Sequence, residues 1–428
     1  MNLLFKEDLL QFVWQYKLLG SAPLKTVSGK ELQVISPGAL NADSGPDFFN
    51  AKIRLNSITL AGNIEIHLRS SDWLKHGHQH DASYNTIILH VVYLHDLQVQ
   101  QNNDFNVDVL ELKNHIPQHT ILHYRELMQN KTRIPCASQL KQVNDTVFSN
   151  WLERLAVERL EMKVKRIEGY YKLTGRNYVQ TFYLCLFRNF GFNVNAEPFE
   201  LLGKHLPVQL LLKHADNLLQ LESLLLGTAG LLDEQFEDAY ILKLQNEFEF
   251  LRHKYGLVPL SKSLFKFSRL RPANFPDLRL AQFAALLHEQ TRLFTFPHRF
   301  TGYEELIKAF HAEVHPYWKN HFKPGGDAQL KQSSLGIQSI ENILINTFAP
   351  FFLFYSKQVA QPEYLNHALN LLSRCKFEDN ARTRLFSAKQ GVLVSAANSQ
   401  ALLQLLDGYC SKKRCLRCGI GYHILKNV

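Results

Sequence analysis

Residues 47–69 read DFFNAKIRLNSITLAGNIEIHLR, and this stretch decides the fold of the first part of the chain. Phe48–Leu55 and Ile58–Leu68 are two runs of β-favouring residues joined by a polar turn at Asn56-Ser57, the pattern of a hairpin. On a strand successive side chains point to opposite faces. Ile64, Ile66 and Leu68 therefore point into a core, while Glu65, His67 and Arg69 share the other face. Asp47 opens the first strand, across the hairpin from Glu65.

The flanks complete a small mixed unit. Residues 5–18, FKEDLLQFVWQYKL, place Leu9, Phe12, Val13 and Tyr16 at helical spacing. Glu31–Ile35 reads as a short extended segment ended by Ser36-Pro37-Gly38. Ser70-Ser71-Asp72 offers a helix N-cap, and the polar segment to Tyr84 has room for one or two helical turns. Thr86–Leu94, TIILHVVYL, reads as a buried strand. From Asn144 onward the periodicity is helical: Phe148–Tyr171, a Leu-rich stretch over Leu201–Leu232, Phe236–Tyr255 and Leu278–Phe294. The expectation is an α+β chain. A small α/β domain spans 1–115, a linker 116–143, and a larger mostly helical domain 144–428 that ends in a cysteine cluster.

The 428 residues suit two to three domains at about 150 residues each. A hydrophobic share of 46% with 20% charged residues excludes a mostly disordered chain. Net charge is +9, and residues 1–115 hold 9 Lys/Arg against 12 Asp/Glu, so the excess lies in the second part. An acidic first part joined to a basic second part fits a cation site beside a polyanion-binding surface; the plainer reading is a soluble surface. No secretory leader is expected, since Lys6, Glu7 and Asp8 precede any apolar run. The most apolar stretch, Ile343–Tyr355, is too short to span a bilayer, which needs about 20 apolar residues. A cytoplasmic protein without membrane contact is the expectation.

Asp47 and Glu65, meeting across a hairpin, offer hard oxygen ligands to Mg²⁺ or Mn²⁺. His67 is placed to ligate the ion, take a proton from water or contact a phosphate. Six of the 19 histidines fall within residues 67–95, namely His67, His76, His78, His80, His90 and His95. The run His76-x-His78-x-His80-Asp81 suits a transition metal such as Zn²⁺, or is a solvated loop. His90, inside an apolar strand, reads as a core histidine.

Pro46-Asp47 and Glu65-Ile66-His67 resemble the PD and (D/E)xK motifs of the restriction-endonuclease-like nucleases, with His in place of the usual Lys. The resemblance covers about the first 100 residues. It implies a nuclease fold and a catalytic set of Asp47, Glu65 and His67, with Glu7 as an additional first-helix glutamate. The competing reading is a Pro-Asp turn and a Glu on an edge strand. On a larger scale GPDFFNA, GNIEIH, SSDWLKHGH, ILHVV, RLRPANFP and CLRCGIG are similar to an uncharacterised family, a domain of unknown function found mainly in Bacteroidetes. That resemblance implies an intracellular bacterial protein and no particular activity.

Cys410-x4-Cys415-x2-Cys418 supplies three thiolates on one loop, the spacing of a chelate. The fourth ligand is either His423 or the distant Cys136. The occupant is Zn²⁺ or, with four cysteines, a 4Fe–4S cluster. The alternative is three free cysteines on a tail. Lys262, Lys266, Arg269, Arg271 and Arg279 interleave with Phe265, Phe267 and Phe275, as nucleic-acid-binding surfaces do. A rigid connector with core phenylalanines has the same pattern. Three functions follow as expectations: a metal-dependent phosphodiesterase acting on nucleic acid, a non-catalytic nucleic-acid- or protein-binding module on a degenerate nuclease scaffold, or a zinc hydrolase using His67, His76, His78 and Asp81.

Overall fold

The computed structural model describes residues 5–99, 106–295, 297–327 and 333–427. The chain forms two units. The first comprises Met1–Trp151, Leu385–Lys389 and Leu405–Val428; the second comprises Leu152–Arg384 and Gln390–Gln404.

In the first unit, helix α1 (Glu7–Gln15) buries Leu9, Leu10, Phe12, Val13 and Trp14. The strands are β1 (Leu24–Lys25), β2 (Glu31–Ser36), β3 (Ala39–Leu40), β4 (Phe48–Leu55), β5 (Ile58–Arg69), β6 (Ile87–Leu94) and β7 (Val109–Glu111). Their order in the sheet is β1-β2-β4-β5-β6-β7, with β3 paired to β4. The hairpin register sets Leu55 against Ile58 and Phe48 against Ile64. Strand β5 outlasts the hairpin. Its second half pairs in parallel with β6, Glu65 opposite His90 and His67 opposite Val92. Parallel pairing requires a crossover. Here it holds helix α2 (Asp72–Lys75) and two 3-10 turns, His78–His80 and Ala82–Thr86.

That crossover explains a difference from the period-2 reading. Both faces of β5 are covered: Ile64 and Ile66 on one, and Glu65 and His67 on the other, at 5% and 1% exposure. Trp73, fully buried, packs at 5.1 Å from the His90 ring and 5.5 Å from His78. Aromatic area laid over the polar side of a strand shuts water away from its ionisable groups.

The segment expected to be a linker is structured. It holds helix α3 (Gln118–Gln129) and belongs to the first unit, as does the C-terminal segment from Leu405. The reason is packing of the C-terminal helix Gly419–Lys426 onto α3. Thr120 Oγ1 donates to the Leu425 carbonyl at 3.2 Å, and His123 Nδ1 lies 3.0 Å from the Ile424 carbonyl oxygen.

The second unit is helical. Helix α4 (Asp145–Leu173) begins in the first unit and continues into it. It is followed by α5 (Tyr178–Phe190), α6 (Ala196–His205), α7 (Val208–Leu212), α8 (Leu218–Thr228), α9 (Ala239–Tyr255) and α10 (Pro276–Glu289). The Leu-rich stretch thus becomes three helices, because Pro207 and the Asn217 cap punctuate it. One apolar core, rich in Phe and Leu, runs from Leu160 to Ala396. Among the described residues no helix is long and apolar enough to cross a membrane.

Candidate metal centre

Strand β5 sets Glu65 and His67 side by side on the covered face, and the crossover brings His76 and His78 to them. Gly77, between the two histidines, has φ +74°, a left-handed conformation that glycine adopts without strain. The reversal there lets both neighbouring imidazoles face the strand. The ligand atoms of His67, His76 and His78 all lie within 4.8 Å of one another. His67 Nε2 is 3.1 Å from His76 Nδ1 and 3.4 Å from Glu65 Oε1. His78 Nε2 is 3.3 Å from the same Glu65 oxygen.

These spacings fit a metal. Ligand atoms at about 2.0–2.1 Å from a tetrahedral ion stand roughly 3.3 Å from each other. His78 Nε2 is buried and makes no aligned hydrogen bond. Two of the imidazoles, His67 and His78, are held neutral, as ligation requires. Burial pushes His67 down to about 2, helped by His90, His76 and His78. Burial likewise takes His78 down to about 4.

The carboxylates converge on the same place. Asp47 and Glu65 are tied reciprocally: the Asp47 N–H donates to Glu65 Oε2 at 3.1 Å, and the Ile66 N–H donates to Asp47 Oδ2 at 3.0 Å. Gln11 Nε2 donates to Asp47 Oδ1 at 2.8 Å. Glu7 Oε1 accepts the Leu68 N–H at 3.4 Å. Burial, with Asp47 and Glu7 as neighbouring negative charges, pushes Glu65 up to about 9. Asp47 rises to about 6 through burial and Glu7, and Glu7 is raised mainly by burial. A buried Glu65 with the half-buried Asp47 and Glu7 beside it concentrates acidic oxygens that a divalent cation would stabilise.

Other residues singled out from the sequence lie elsewhere. Asp81 is fully exposed and caps the 3-10 turn after it, accepting from the Ser83 N–H at 2.9 Å. His80 is exposed. His90 is fully buried and meets His67. Cys136, Cys410, Cys415 and Cys418 come together in the first unit, lining one apolar void. His423 faces Asn427 instead, its Nδ1 3.0 Å from Asn427 Nδ2.

In the second unit Lys266, Arg269 and Arg271 are exposed. Lys262 pairs with Glu234 at 2.6 Å. Arg279 is 5% exposed, bonded to Gln282 and Asn274, with its guanidinium 4.5 Å over the Phe192 ring. Phe265 is core. The sequence reading missed a second basic surface. Arg159, Lys163, Arg166 and Arg188 line a cleft of about 490 Å³ with Asn189 and Asn346. Lys163 Nζ donates to Asn346 Oδ1 at 2.8 Å and Gln400 Oε1 at 2.7 Å, and burial lowers it to about 7. The signal was present: Arg159, Lys163 and Arg166 recur at helical spacing on one face.

A family model described as "Protein of unknown function (DUF2851)" matches residues 7–381, and the chain belongs to that family. The matched span holds Glu7, Asp47, Glu65 and all the histidines of the centre; the cysteine loop at 410–418 lies beyond it. No curated protein and no solved structure matches.

Proposed function

Starting from membership of that family, we propose a metal-dependent phosphodiesterase acting on nucleic acid, on a restriction-endonuclease-like first unit. The observation that carries it is the convergence of His67, His76 and His78 beside Glu65, with Asp47 and Glu7 behind. The order α1, antiparallel β2-β4-β5, crossover, parallel β6 supports the nuclease reading. The basic surfaces of the second unit support a polyanionic substrate.

His67, His76 and His78 would hold the ion, with Glu65 Oε1 adjoining. Nitrogen-rich donors favour Zn²⁺ or Mn²⁺ over Mg²⁺. Such an ion lowers the pKa of bound water and neutralises charge on a phosphoryl oxygen. Burial favours the protonated form of Glu65, and a cation bound beside it would favour the carboxylate. Asp47 and Glu7 keep negative charge close to the centre. Asp47 also ties the β4 entry to β5 through its two hydrogen-bonded oxygens. Trp73 and Tyr84 exclude water from the far side of the imidazoles.

The test is cleavage of single-stranded and duplex DNA and RNA with Zn²⁺, Mn²⁺ or Mg²⁺, by wild type, Glu65→Gln and His78→Ala. Ion-dependent cleavage lost in both variants supports the proposal. Binding without cleavage on every substrate and ion makes the chain a non-catalytic module. Hydrolysis of other esters with nucleic acid untouched makes it a zinc hydrolase of a different substrate class, the reading that the three histidines favour next.

A further inference from the structure

The C-terminal cysteines sit on a tightly folded loop. Cys410 ends a π-helical turn, Leu405–Cys410, and Lys413 follows in the left-handed region at φ 49°. The Arg414 N–H donates back to the Tyr409 carbonyl at 2.9 Å. Cys415 opens a 3-10 turn, and Cys418 is the extended residue before helix Gly419–Lys426. The Ile420 and Gly421 N–H groups lie against the Cys418 sulfur and favour its thiolate. Gly421 is required by close approach, since a Cβ there would stand 2.1 Å from the Cys415 carbonyl oxygen.

Cys136, 274 residues earlier than Cys410, follows Ile134-Pro135 just after α3 and lines the same void. All four thiols are buried and none is in a disulfide. Leu127, Leu140, Phe386 and Leu405 share the lining, and the void measures about 20 Å³. Four buried thiols around a common apolar space, from two distant segments, need a reason beyond packing. Burial and neighbouring cysteines push Cys136 and Cys415 up to about 12, and burial pushes Cys418 up to about 11. Bare, they are protonated and inert; a shared cation is what makes four thiolates compatible.

We propose that Cys136, Cys410, Cys415 and Cys418 ligate an iron–sulfur cluster of the four-iron class, which fastens the segment after α3 to the C-terminal loop. Spacing favours a cluster over zinc. A tetrahedral zinc site with Zn–S of about 2.3 Å needs thiolates roughly 3.8 Å apart on every edge. Among the described residues, only His67, His76 and His78 form a group of three or more ligands within 4.8 Å. No three of the four cysteine sulfurs lie within 4.8 Å of one another, a spread wider than that of a zinc site and closer to that of a cluster's corners. Backbone N–H groups beside the Cys418 sulfur and an apolar surround are the means by which proteins tune such clusters. The positive charge of Lys413, felt at Cys415, favours the thiolate there. Taking up a preformed cluster from a thiol carrier exchanges four S–H bonds for four S–Fe bonds, breaks the carrier's four S–Fe bonds and passes the four protons to its departing thiolates, with no change of oxidation state. The inference stands apart from the proposed hydrolase.

The experiment is anaerobic purification of the full chain, with iron, acid-labile sulfide and zinc measured together with the visible spectrum. About four iron and four sulfide per chain are expected, with a broad visible band that bleaches on reduction. Cys136→Ser should lose most of the iron. Because that variant risks misfolding, wild-type apo-protein is also reconstituted anaerobically with ferric iron, sulfide and excess thiol, the thiol reducing half of the iron, and regain of the band is expected. One zinc per chain without sulfide, or a chain that neither carries nor takes up iron, overturns the proposal. Full iron retention in Cys136→Ser removes Cys136 as a ligand and overturns the four-cysteine assignment.

Discussion

His67 Nδ1 lies 2.9 Å from Nε2 of His90, two neutral imidazoles joined in a dry layer beneath Trp73. Burial takes His90 down to about 3, so neither ring is charged at neutral pH. A neutral imidazole carries one N–H. When the His67 Nδ1–H donates to His90, the lone pair on Nε2 is left facing His76 and Glu65. In that tautomer His90 stands to His67, in the proposed centre, as an outer hydrogen-bond partner stands to a ligating histidine.

His90→Leu removes that acceptor and leaves the strand apolar. Affinity for Zn²⁺ should fall roughly 10–100-fold with the circular dichroism spectrum unchanged. Competition with a chromogenic chelator measures it. Undiminished affinity would show that His67 is oriented by other means.

His67→Lys restores the residue usual in the nuclease motif. The geometry predicts loss of bound ion and of cleavage, because an ammonium cannot stand 3.1 Å from His76 Nδ1 and also share a cation with it. Retained or raised cleavage would place the ion at Asp47 and Glu65, away from the imidazoles.

In the second unit Glu222 is fully buried, accepting from Trp318 Nε1 at 2.8 Å and Tyr240 OH at 2.9 Å. Burial raises it from 4.5 to about 7. Between those values the fold binds a proton that the unfolded chain has lost, so stability falls as pH rises across that window. Glu222→Gln keeps the acceptor and removes the titration. Its Tm should depend less on pH than that of wild type, with a difference of up to about 3 kcal/mol above pH 7. Parallel Tm profiles for the two proteins would contradict this.

Arg279 and its basic neighbours should separate. Arg279→Met is expected to cost about 1–3 kcal/mol of stability and leave DNA binding unchanged, since its hydrogen bonds are internal. Reversing Lys266, Arg269 and Arg271 to Glu should weaken binding and flatten its salt dependence. Fluorescence anisotropy over a salt series reads both, and the opposite pattern would move the nucleic-acid surface elsewhere.

Strands with a strong alternation were legible. Phe48–Leu55 is as expected, Ile58–Leu68 extends by one residue to Arg69, and Thr86–Leu94 begins one residue later. Helix α9 ends at Tyr255 as read, starting three residues later than Phe236, with Gly256 as its left-handed cap at φ +63°. Strands β1, β3 and β7 have two or three residues each, too few to show a period, and exist through their partners. The site was half legible. Glu65 and His67 shared a face by alternation, and Asp47 met them across the hairpin. That the polar face would be covered by Trp73, and that Gly77 would turn His76 and His78 onto it, depends on a crossover whose path no local pattern records. The position of Cys136 beside the C-terminal loop was likewise open, because a contact across 274 residues leaves no trace in spacing.

The most direct measurement is an anomalous difference map from crystals of the full chain soaked in Zn²⁺ or Mn²⁺. The account predicts one strong peak about 2.0–2.2 Å from His67 Nε2, His76 Nδ1 and a ring nitrogen of His78, next to Glu65 Oε1. A map with no peak among those imidazoles, or with a peak only between Asp47 and Glu7, would contradict it.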